Sequence, residues 1–241
     1  MIRRLAGAIQ FLTVIPIPSA GASIGESAVF FPLVGAMVGA VASGVYLSLA
    51  RLLPVSLSSI GALLFLVLIT GGLHEDGLAD AADALRSGRT AEKILAIMKD
   101  SRIGSYGGLA LLFSILIRWQ ALSALGARST VALIVSETLP RTAVVVLSHA
   151  SKPVGSGLGS AMSASLSRRA TLAAAAQGIL IAALLAPRLS PALLLGTAAI
   201  VWMSRSYFQR RIGGVTGDCL GAASQLVEAF SLLTFVWAHS I

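Results

Sequence analysis

Residues 54–86, PVSLSSIGALLFLVLITGGLHEDGLADAADALR, join an apolar run directly to a dense acidic segment. The run up to Gly72 has about the 20 residues that a helix needs to cross a bilayer. Four carboxylates then fall within nine positions, although the whole chain of 241 residues has only ten acidic residues: Glu75, Asp76, Asp80 and Asp83. Such crowding indicates either a solvated loop or a site that requires negative charge.

The overall composition predicts an all-α, polytopic membrane protein. Hydrophobic residues make up 56% of the chain, charged residues make up 12%, and the mean hydropathy is +0.88, whereas soluble proteins have about 25% charged residues. The apolar runs predict about seven transmembrane helices, near residues 28–50, 54–72, 107–125, 130–149, 170–186, 189–204 and 221–240. Because these spans use most of the chain, we expect one membrane-embedded domain over residues 1–241.

The distribution of basic residues predicts the orientation of this domain. With the amino terminus in the cytoplasm, thirteen of the eighteen Lys and Arg residues fall on the cytoplasmic side, as the positive-inside rule requires: Arg3, Arg4, Arg86, Arg89, Lys93, Lys99, Arg102, Lys152, Arg168, Arg169, Arg205, Arg210 and Arg211. Arg51, Arg128 and Arg188 lie outside, and Arg118 and Arg141 lie within spans. The segments 73–106 and 205–228 then both face the cytoplasm.

The amino-terminal segment, MIRRLAGAIQFLTVIPIPSAGA, has two interpretations. Its basic start, apolar stretch and small residues are typical of a secretory signal peptide. Pro16 and Pro18 break the apolar stretch, however. We therefore expect a retained interfacial or re-entrant segment.

The charge and cysteine content exclude several classes of function. A single cysteine, Cys219, forms no internal disulfide, and no His/Cys cluster has zinc-site spacing. The net charge of +8 is explained by membrane topology, so we expect a lipid bilayer as partner and no nucleic acid. The sequence leaves open whether the chain forms homo-oligomers.

The acidic segment favours a divalent cation. If residues 73–86 are helical, the spacing i, i+4, i+7 puts Asp76, Asp80 and Asp83 on one face, and Glu75 points elsewhere. Like charges one turn apart destabilise a helix, so this face requires a compensating cation. Carboxylate oxygens without His or Cys favour Mg²⁺, Mn²⁺ or Ca²⁺.

A second segment, IMKDSRIGSYGG at 97–108, has the residue types that bind phosphate. Lys99 and Arg102 donate to phosphate oxygens, and Gly104 permits close backbone approach. The alternative is a basic juxtamembrane loop. Because Mg²⁺ binds through one or two carboxylates plus substrate phosphates, acids beside cations indicate a metal-bridged phosphate.

Two further groups of residues are candidates for substrate contact. The stretch GGVTGD offers backbone N–H groups at a helix start through Gly213, Gly214 and Gly217, beside Asp218. In the fourth predicted span, Arg141 either pairs with Glu137 one turn away or reaches phosphate, since charges within spans usually face a cavity.

These motifs carry a resemblance to a known family. The segments GGLHEDGLADAADAL, IMKDSRIGSYG and GGVTGDCLGA, with FLTVIPIP near the start and FPLVGAMVGA at 31–40, resemble the cobalamin synthase family, adenosylcobinamide-GDP ribazoletransferase. The similar blocks span residues 11–228. Ala81 and Ala84 depart from the Thr and Gly typical of the family, and neither carries a metal ligand.

The resemblance implies a Mg²⁺-dependent enzyme of the bacterial inner membrane with its active site facing the cytoplasm. It implies a reaction that joins adenosylcobinamide-GDP to α-ribazole or its 5′-phosphate and releases GMP. By motif, the expected metal ligands are Asp76, Asp80, Asp83 and Asp218. Asp83 is also the candidate general base for the ribose 3′-OH, and Lys99, Arg102 and Arg141 are expected to neutralise phosphate.

Two alternatives belong to other classes. A CDP-alcohol phosphotransferase has an acidic motif of similar logic, but with Ala-Arg where this chain has Ala79-Asp80 and with longer spacing. A cation-coupled transporter keeps acids near the bilayer midplane between repeats. Here the acids lie at one membrane face, and no repeat is visible.

Overall fold

The computed structural model describes residues 1–17 and 21–239. The described chain forms twelve α-helices: α1 (Ile2–Leu12), α2 (Ile24–Ser27), α3 (Phe31–Leu49), α4 (Val55–Thr70), α5 (Leu73–Ser87), α6 (Ala91–Met98), α7 (Ser105–Leu125), α8 (Ser129–Ala150), α9 (Leu158–Ser165), α10 (Arg168–Leu185), α11 (Ser190–Ile212) and α12 (Gly217–His239). Short 3-10 turns precede α3 and α8. The all-α prediction is confirmed, and each of the seven predicted spans coincides with a helix.

The predicted number of seven spans is not confirmed. By length and composition, four helical runs among the described residues suit a membrane crossing: Ile24–Leu49, Ser105–Ala150, Arg168–Leu185 and Gly217–His239. The bent pair α4–α5 makes up to five. Three reasons account for the difference: α4 has only 16 residues, α7 and α8 form one run of 46 residues, and α11 ends in a basic segment.

Two glycines of α3 allow close backbone contact with α8 at the centre of the bundle. Gly35 and Gly39 of α3 pack on the backbone of α8, and a methyl group added at Gly39 would lie 2.7 Å from the Ile134 Cα atom. Glycines four residues apart let helix backbones approach in this way. The core of α8 is almost wholly buried between α3, α10 and α12.

A sharp bend between α4 and α5 positions the acidic segment. Gly71 and Gly72 both adopt left-handed backbone conformations, with φ of 64° and 68°, which glycine adopts at little cost. The helix axes on either side of them differ by 87°. This bend turns the carboxylates of α5 across the start of α12.

The amino-terminal segment packs against the same bend. The backbone N–H of Val14 donates to the Ile69 carbonyl at 2.8 Å, and Phe11 stacks on Phe31 with ring centroids 5.3 Å apart. At 11 residues, α1 is about 16 Å long, roughly half of a hydrocarbon core. This length suits the expected interfacial segment; Pro18, used in that prediction, lies outside the described residues.

Two basic residues on the predicted cytoplasmic side donate hydrogen bonds to backbone carbonyls at the carboxyl ends of helices. Arg211 donates to the carbonyls of Leu85 and Gly88 at 2.7 and 2.8 Å, and Arg205 donates to the Ala150 carbonyl at 2.6 Å. Cations near the last carbonyls of a helix are stabilising. These residues therefore fix the ends of α5 and α8.

Candidate active site

Helices α5 and α12 cross where two predicted motifs meet. A methyl group added at Gly77 would lie 3.1 Å from the Cα atoms of both Asp218 and Gly221, so the two backbones are nearly in contact. The crossing brings Asp76 and Asp80 of α5 to the first turn of α12, and the charge of Asp218 acts on Asp80. Segments about 140 residues apart in sequence therefore form one acidic cluster, Asp76, Asp80 and Asp218.

Among the described residues, no Lys, Arg or His side chain forms an ion pair with the acidic cluster. The ion pairs formed by the described residues involve other carboxylates: Glu26, Glu75, Asp100, Glu137 and Glu228. Three like charges held together without compensation, with oxygen as the only donor atom, suit a hard divalent cation such as Mg²⁺. No group of three or more His, Cys, Asp or Glu side chains in the described residues is arranged to enclose a metal. A Mg²⁺ ion here would therefore need substrate phosphate oxygens as ligands.

The carboxylate of Asp83 contacts the backbone at the start of α7. Both carboxylate oxygens accept backbone hydrogen bonds at the start of α7, from Gly104 N–H at 2.7 Å and from Gly107 N–H at 2.9 Å. A side chain on either glycine would collide with the carboxylate. Asp83 thus holds the amino terminus of α7 against α5. Its roles as metal ligand and general base, and the substrate contact of Gly104, stay predictions.

Two cavities lie on either side of Asp76. The first, which we call the glycine-loop cavity, has a volume of about 320 Å³ and lies between the first turns of α5 and α12, the end of α6 and the segment 154–160. The second, the hinge cavity, has a volume of about 580 Å³ and lies beside the Gly71–Gly72 bend and residues Ser101 and Ile103. Phe11, Leu73 and Asp76 line both. Asp76 therefore stands where the two cavities adjoin.

The acidic cluster is divided between the cavities. Asp218 lines the glycine-loop cavity, and Asp80 lines the hinge cavity. Lys99, an exposed residue at the end of α6, also lines the glycine-loop cavity, as expected for a phosphate-binding cation. The structure thus places one ammonium group and two carboxylates at the same cavity.

Arg102 is placed differently. Its side chain is 87% exposed and forms an ion pair with Asp100, with Nη2 2.6 Å from the Asp100 carboxylate. This pairing and further hydrogen bonds from the Nε atom and the backbone N–H of Arg102 lower the pKa of Asp100 to about 2. Arg102 lies on the loop beside the hinge cavity, next to Ser101 and Ile103, which line it.

The glycines before α12 divide into structural and cavity-lining positions. Gly213 ends α11 in a left-handed conformation with φ of 77°, and Gly214 packs on the Lys152 carbonyl, which accepts a hydrogen bond from Val215 N–H at 2.9 Å. Gly217, predicted with Gly213 and Gly214 to contact substrate, lines the glycine-loop cavity. Gly213 and Gly214 instead shape the turn that leads to it.

Arg141 is a buried ion-pair partner instead of a cavity residue. Its Nη1 atom lies 2.6 Å from the Glu137 carboxylate, and both side chains are almost fully buried. The first of the two predicted interpretations, the intrahelical pair, is the one observed. His74, on which the charge of Arg141 acts, lines the glycine-loop cavity, whereas Arg141 is absent from the described lining of that cavity.

Sequence reasoning missed two parts of the site. The first is the segment 154–160, which contributes Gly155, Gly157 and Gly159 to the glycine-loop cavity and reads in sequence as an ordinary small-residue loop. The second is a buried network in which Arg118 pairs with Glu75 and Glu228 at 2.9 and 3.0 Å. Charges inside predicted spans are the signal that would have found this network.

The fold is a helical bundle with apolar spans, and a cavity with acidic residues and a lysine lies at the start of α12. These features are typical of an integral membrane transferase. The sequence matches the family described as Cobalamin-5-phosphate synthase over residues 4–236. The chain therefore belongs to the cobalamin-5-phosphate synthase family. No solved structure gave a significant match.

The names of similar proteins agree with this family. An adenosylcobinamide-GDP ribazoletransferase of Ralstonia pickettii is 37% identical over 93% of this chain and 91% of its own length. The enzyme of the same name from Klebsiella pneumoniae is 36% identical over 98% of this chain and its full length. The match favours this family over a CDP-alcohol phosphotransferase or a cation-coupled transporter.

Proposed function

We propose that the chain is a Mg²⁺-dependent adenosylcobinamide-GDP ribazoletransferase of the bacterial inner membrane, with its site facing the cytoplasm. The reaction joins adenosylcobinamide-GDP to α-ribazole or its 5′-phosphate and releases GMP. The observation that supports this most directly is the meeting of Asp76, Asp80 and Asp218 at two adjoining cavities, one of which contains Lys99.

The residues of the chain have separable tasks in this proposal. Asp76 and Asp80 would hold Mg²⁺ together with phosphate oxygens of the substrate, and the ion when bound would neutralise and polarise the diphosphate. Lys99 binds phosphate oxygens as a point charge. Asp218, which lines the glycine-loop cavity, accepts the proton of the ribose 3′-OH.

The buried ion pairs of Arg118 connect the helices that carry the acidic cluster. They tie α7 to Glu75, which adjoins Asp76, and to Glu228 on α12, the helix that also carries Asp218. Active-site groups need their positions fixed by the surrounding structure. We assign Arg118 the task of keeping α5 and α12 in register.

An assay on purified protein in detergent tests the proposal. We expect release of GMP when the protein receives adenosylcobinamide-GDP, α-ribazole 5′-phosphate and Mg²⁺, and loss of that release with EDTA. Restoring Mg²⁺ in excess should recover it. If no GMP is released under conditions in which a relative of the same family is active, the proposal fails; release that EDTA leaves unchanged would remove the metal from it.

A further inference from the structure

The glycine-loop cavity combines an apolar wall with three charged residues. Its wall includes Phe11, Leu95, Met98, Val144, Met162 and Leu220. Asp76, Asp218 and Lys99 are its charged lining residues. An occupant should therefore be apolar over most of its surface and carry hydroxyl or phosphate groups.

The size of this cavity excludes the larger substrate of the proposed reaction. Small-molecule sites usually measure about 300–1,000 Å³, and the glycine-loop cavity, at about 320 Å³, is at the lower end of that range. A corrinoid with its amide side chains and adenosyl group is several times larger. A bicyclic base with one ribose is of the right order.

The chemistry of the wall distinguishes between the two bicyclic bases in the reaction. Guanine carries several hydrogen-bond donors and acceptors, each of which needs a partner when buried, whereas His74, Ser156, Ser160 and Thr216 are the uncharged polar side chains of a lining that is mostly apolar. The dimethylbenzimidazole of α-ribazole has no N–H donor and two methyl groups. An apolar wall therefore suits the benzimidazole and not the guanine.

Resting on the proposed function, we propose that the glycine-loop cavity is the α-ribazole subsite and that the hinge cavity receives the diphosphate of adenosylcobinamide-GDP. The benzimidazole lies against the wall formed by Val144 and Met162, and the ribose points to Asp76 and Asp218. The diphosphate enters from the other side of Asp76, where Asp80 and Ser101 line the hinge cavity. The two substrates thus meet at Asp76.

The transfer forms one bond to phosphorus and breaks another. The ribose 3′ oxygen forms a bond to the phosphorus that carries the cobinamide, and the bond from that phosphorus to the GMP oxygen breaks. The hydroxyl proton passes to a carboxylate at the glycine-loop cavity, and GMP leaves with the electron pair of the broken bond. No oxidant or reductant is required.

Paired substitutions in the two cavities test the assignment. Val144→Phe narrows the glycine-loop cavity and should raise the KM for α-ribazole 5′-phosphate at least tenfold, with the KM for adenosylcobinamide-GDP changed less than twofold. Changes of one methylene in an apolar pocket alter specificity by about 10–200-fold. Leu111→Phe in the hinge cavity is the matched control and should show the reverse pattern.

A milder variant keeps the test valid if Val144→Phe does not fold. Val144→Leu should favour a benzimidazole riboside that lacks the two methyl groups, and shift its kcat/KM relative to the dimethyl substrate at least fivefold. An equal effect on both substrates, an effect confined to adenosylcobinamide-GDP or an unchanged preference would overturn the inference. Absence of GMP release by the unmodified protein would instead count against the proposed function.

Discussion

Arg118 of α7 and Glu228 of α12 form an ion pair with a separation of 3.0 Å between side chains that are 1% and 3% exposed. The same guanidinium contacts Glu75, and Gln225 donates to Glu228 at 3.0 Å. The guanidinium of Arg118 therefore connects three helices: α7, on which it lies, and α5 and α12, which carry the acidic cluster.

Removal of Arg118 should destabilise the protein and misplace the cluster. In Arg118→Met, Glu75 and Glu228 remain buried without a cation, and breaking a buried pair in this way costs about 3–5 kcal/mol. We expect a lower unfolding midpoint in detergent. Arg51→Met, at an exposed loop position, is the control and should leave the midpoint unchanged.

The positioning role of Arg118 has a separate readout. The triple variant Arg118→Met, Glu75→Gln, Glu228→Gln removes the unpaired charges, and its stability should recover in part while activity stays low. Full recovery of kcat together with stability would show that the network only stabilises the fold.

Asn substitutions should separate the acidic cluster from Asp83. Asp76→Asn and Asp80→Asn remove charge without removing a contact within the protein, so we expect activity to fall on the order of 10²-fold or more with the unfolding midpoint retained. Asp83→Asn leaves one of two backbone N–H groups without its acceptor. It should cost about 1–3 kcal/mol of stability.

The contrast between Asp80→Asn and Asp83→Asn is the decisive comparison, since both lie on one helix. GMP release and thermal unfolding, measured on the same preparations, provide the check. A stable, inactive Asp83→Asn protein would support Asp83 as a metal ligand or general base.

The sequence was sufficient for the seven helices that coincide with apolar runs, because apolar runs of about that length favour membrane helices. It also identified the acidic face of α5, since the spacing of Asp76, Asp80 and Asp83 is that of one helix face. The number of spans in the structure differs from the predicted seven because length and hydropathy do not determine that the chain bends between α4 and α5 or that α7 and α8 form one run. The 87° bend depends on two consecutive left-handed glycines, which the letters GG alone do not specify.

The sequence did not predict contacts and positions that depend on distant parts of the chain. Asp83 resembles its neighbours in spacing, and only the position of the α7 amino terminus, more than 20 residues later, shows that its oxygens are already bound. Arg141 has an acid one turn away, which made an ion pair foreseeable, but its distance from the cavity depends on how α8 is buried. Segment 154–160 has no charged residue to draw attention to it.

The membrane orientation is open to a labelling test, for which the native cysteine is unsuitable. Cys219 is fully buried, so a thiol reagent should not reach it. In a Cys219→Ala background, Arg89→Cys and Arg51→Cys lie at exposed positions on opposite predicted sides. A membrane-impermeant maleimide should label Arg51→Cys in intact spheroplasts and Arg89→Cys only after lysis. The reverse pattern would place the acidic cluster outside the cytoplasm.

The last prediction concerns Arg102, which at rest pairs with Asp100 on the loop beside the hinge cavity. Because Arg102 lowers the pKa of Asp100 to about 2, both partners are charged near neutral pH, and the pair is lost as the pH falls through that pKa. It therefore contributes no pH dependence near neutrality. Any effect of Arg102 on activity there must come from contact with substrate or from the pair itself.

Three variants separate these explanations. If Arg102 turns to bind the diphosphate, Arg102→Lys should lose about tenfold or more in kcat/KM, or about 1.4 kcal/mol of transition-state stabilisation, because lysine lacks the two-pronged geometry that suits phosphate. Arg102→Ala should lose more. Asp100→Asn, which weakens the pair and keeps the guanidinium, should retain activity. Wild-type kinetics in Arg102→Ala would limit this residue to membrane topology, whereas equal losses in Arg102→Ala and Asp100→Asn would assign the effect to the loop structure that the pair maintains.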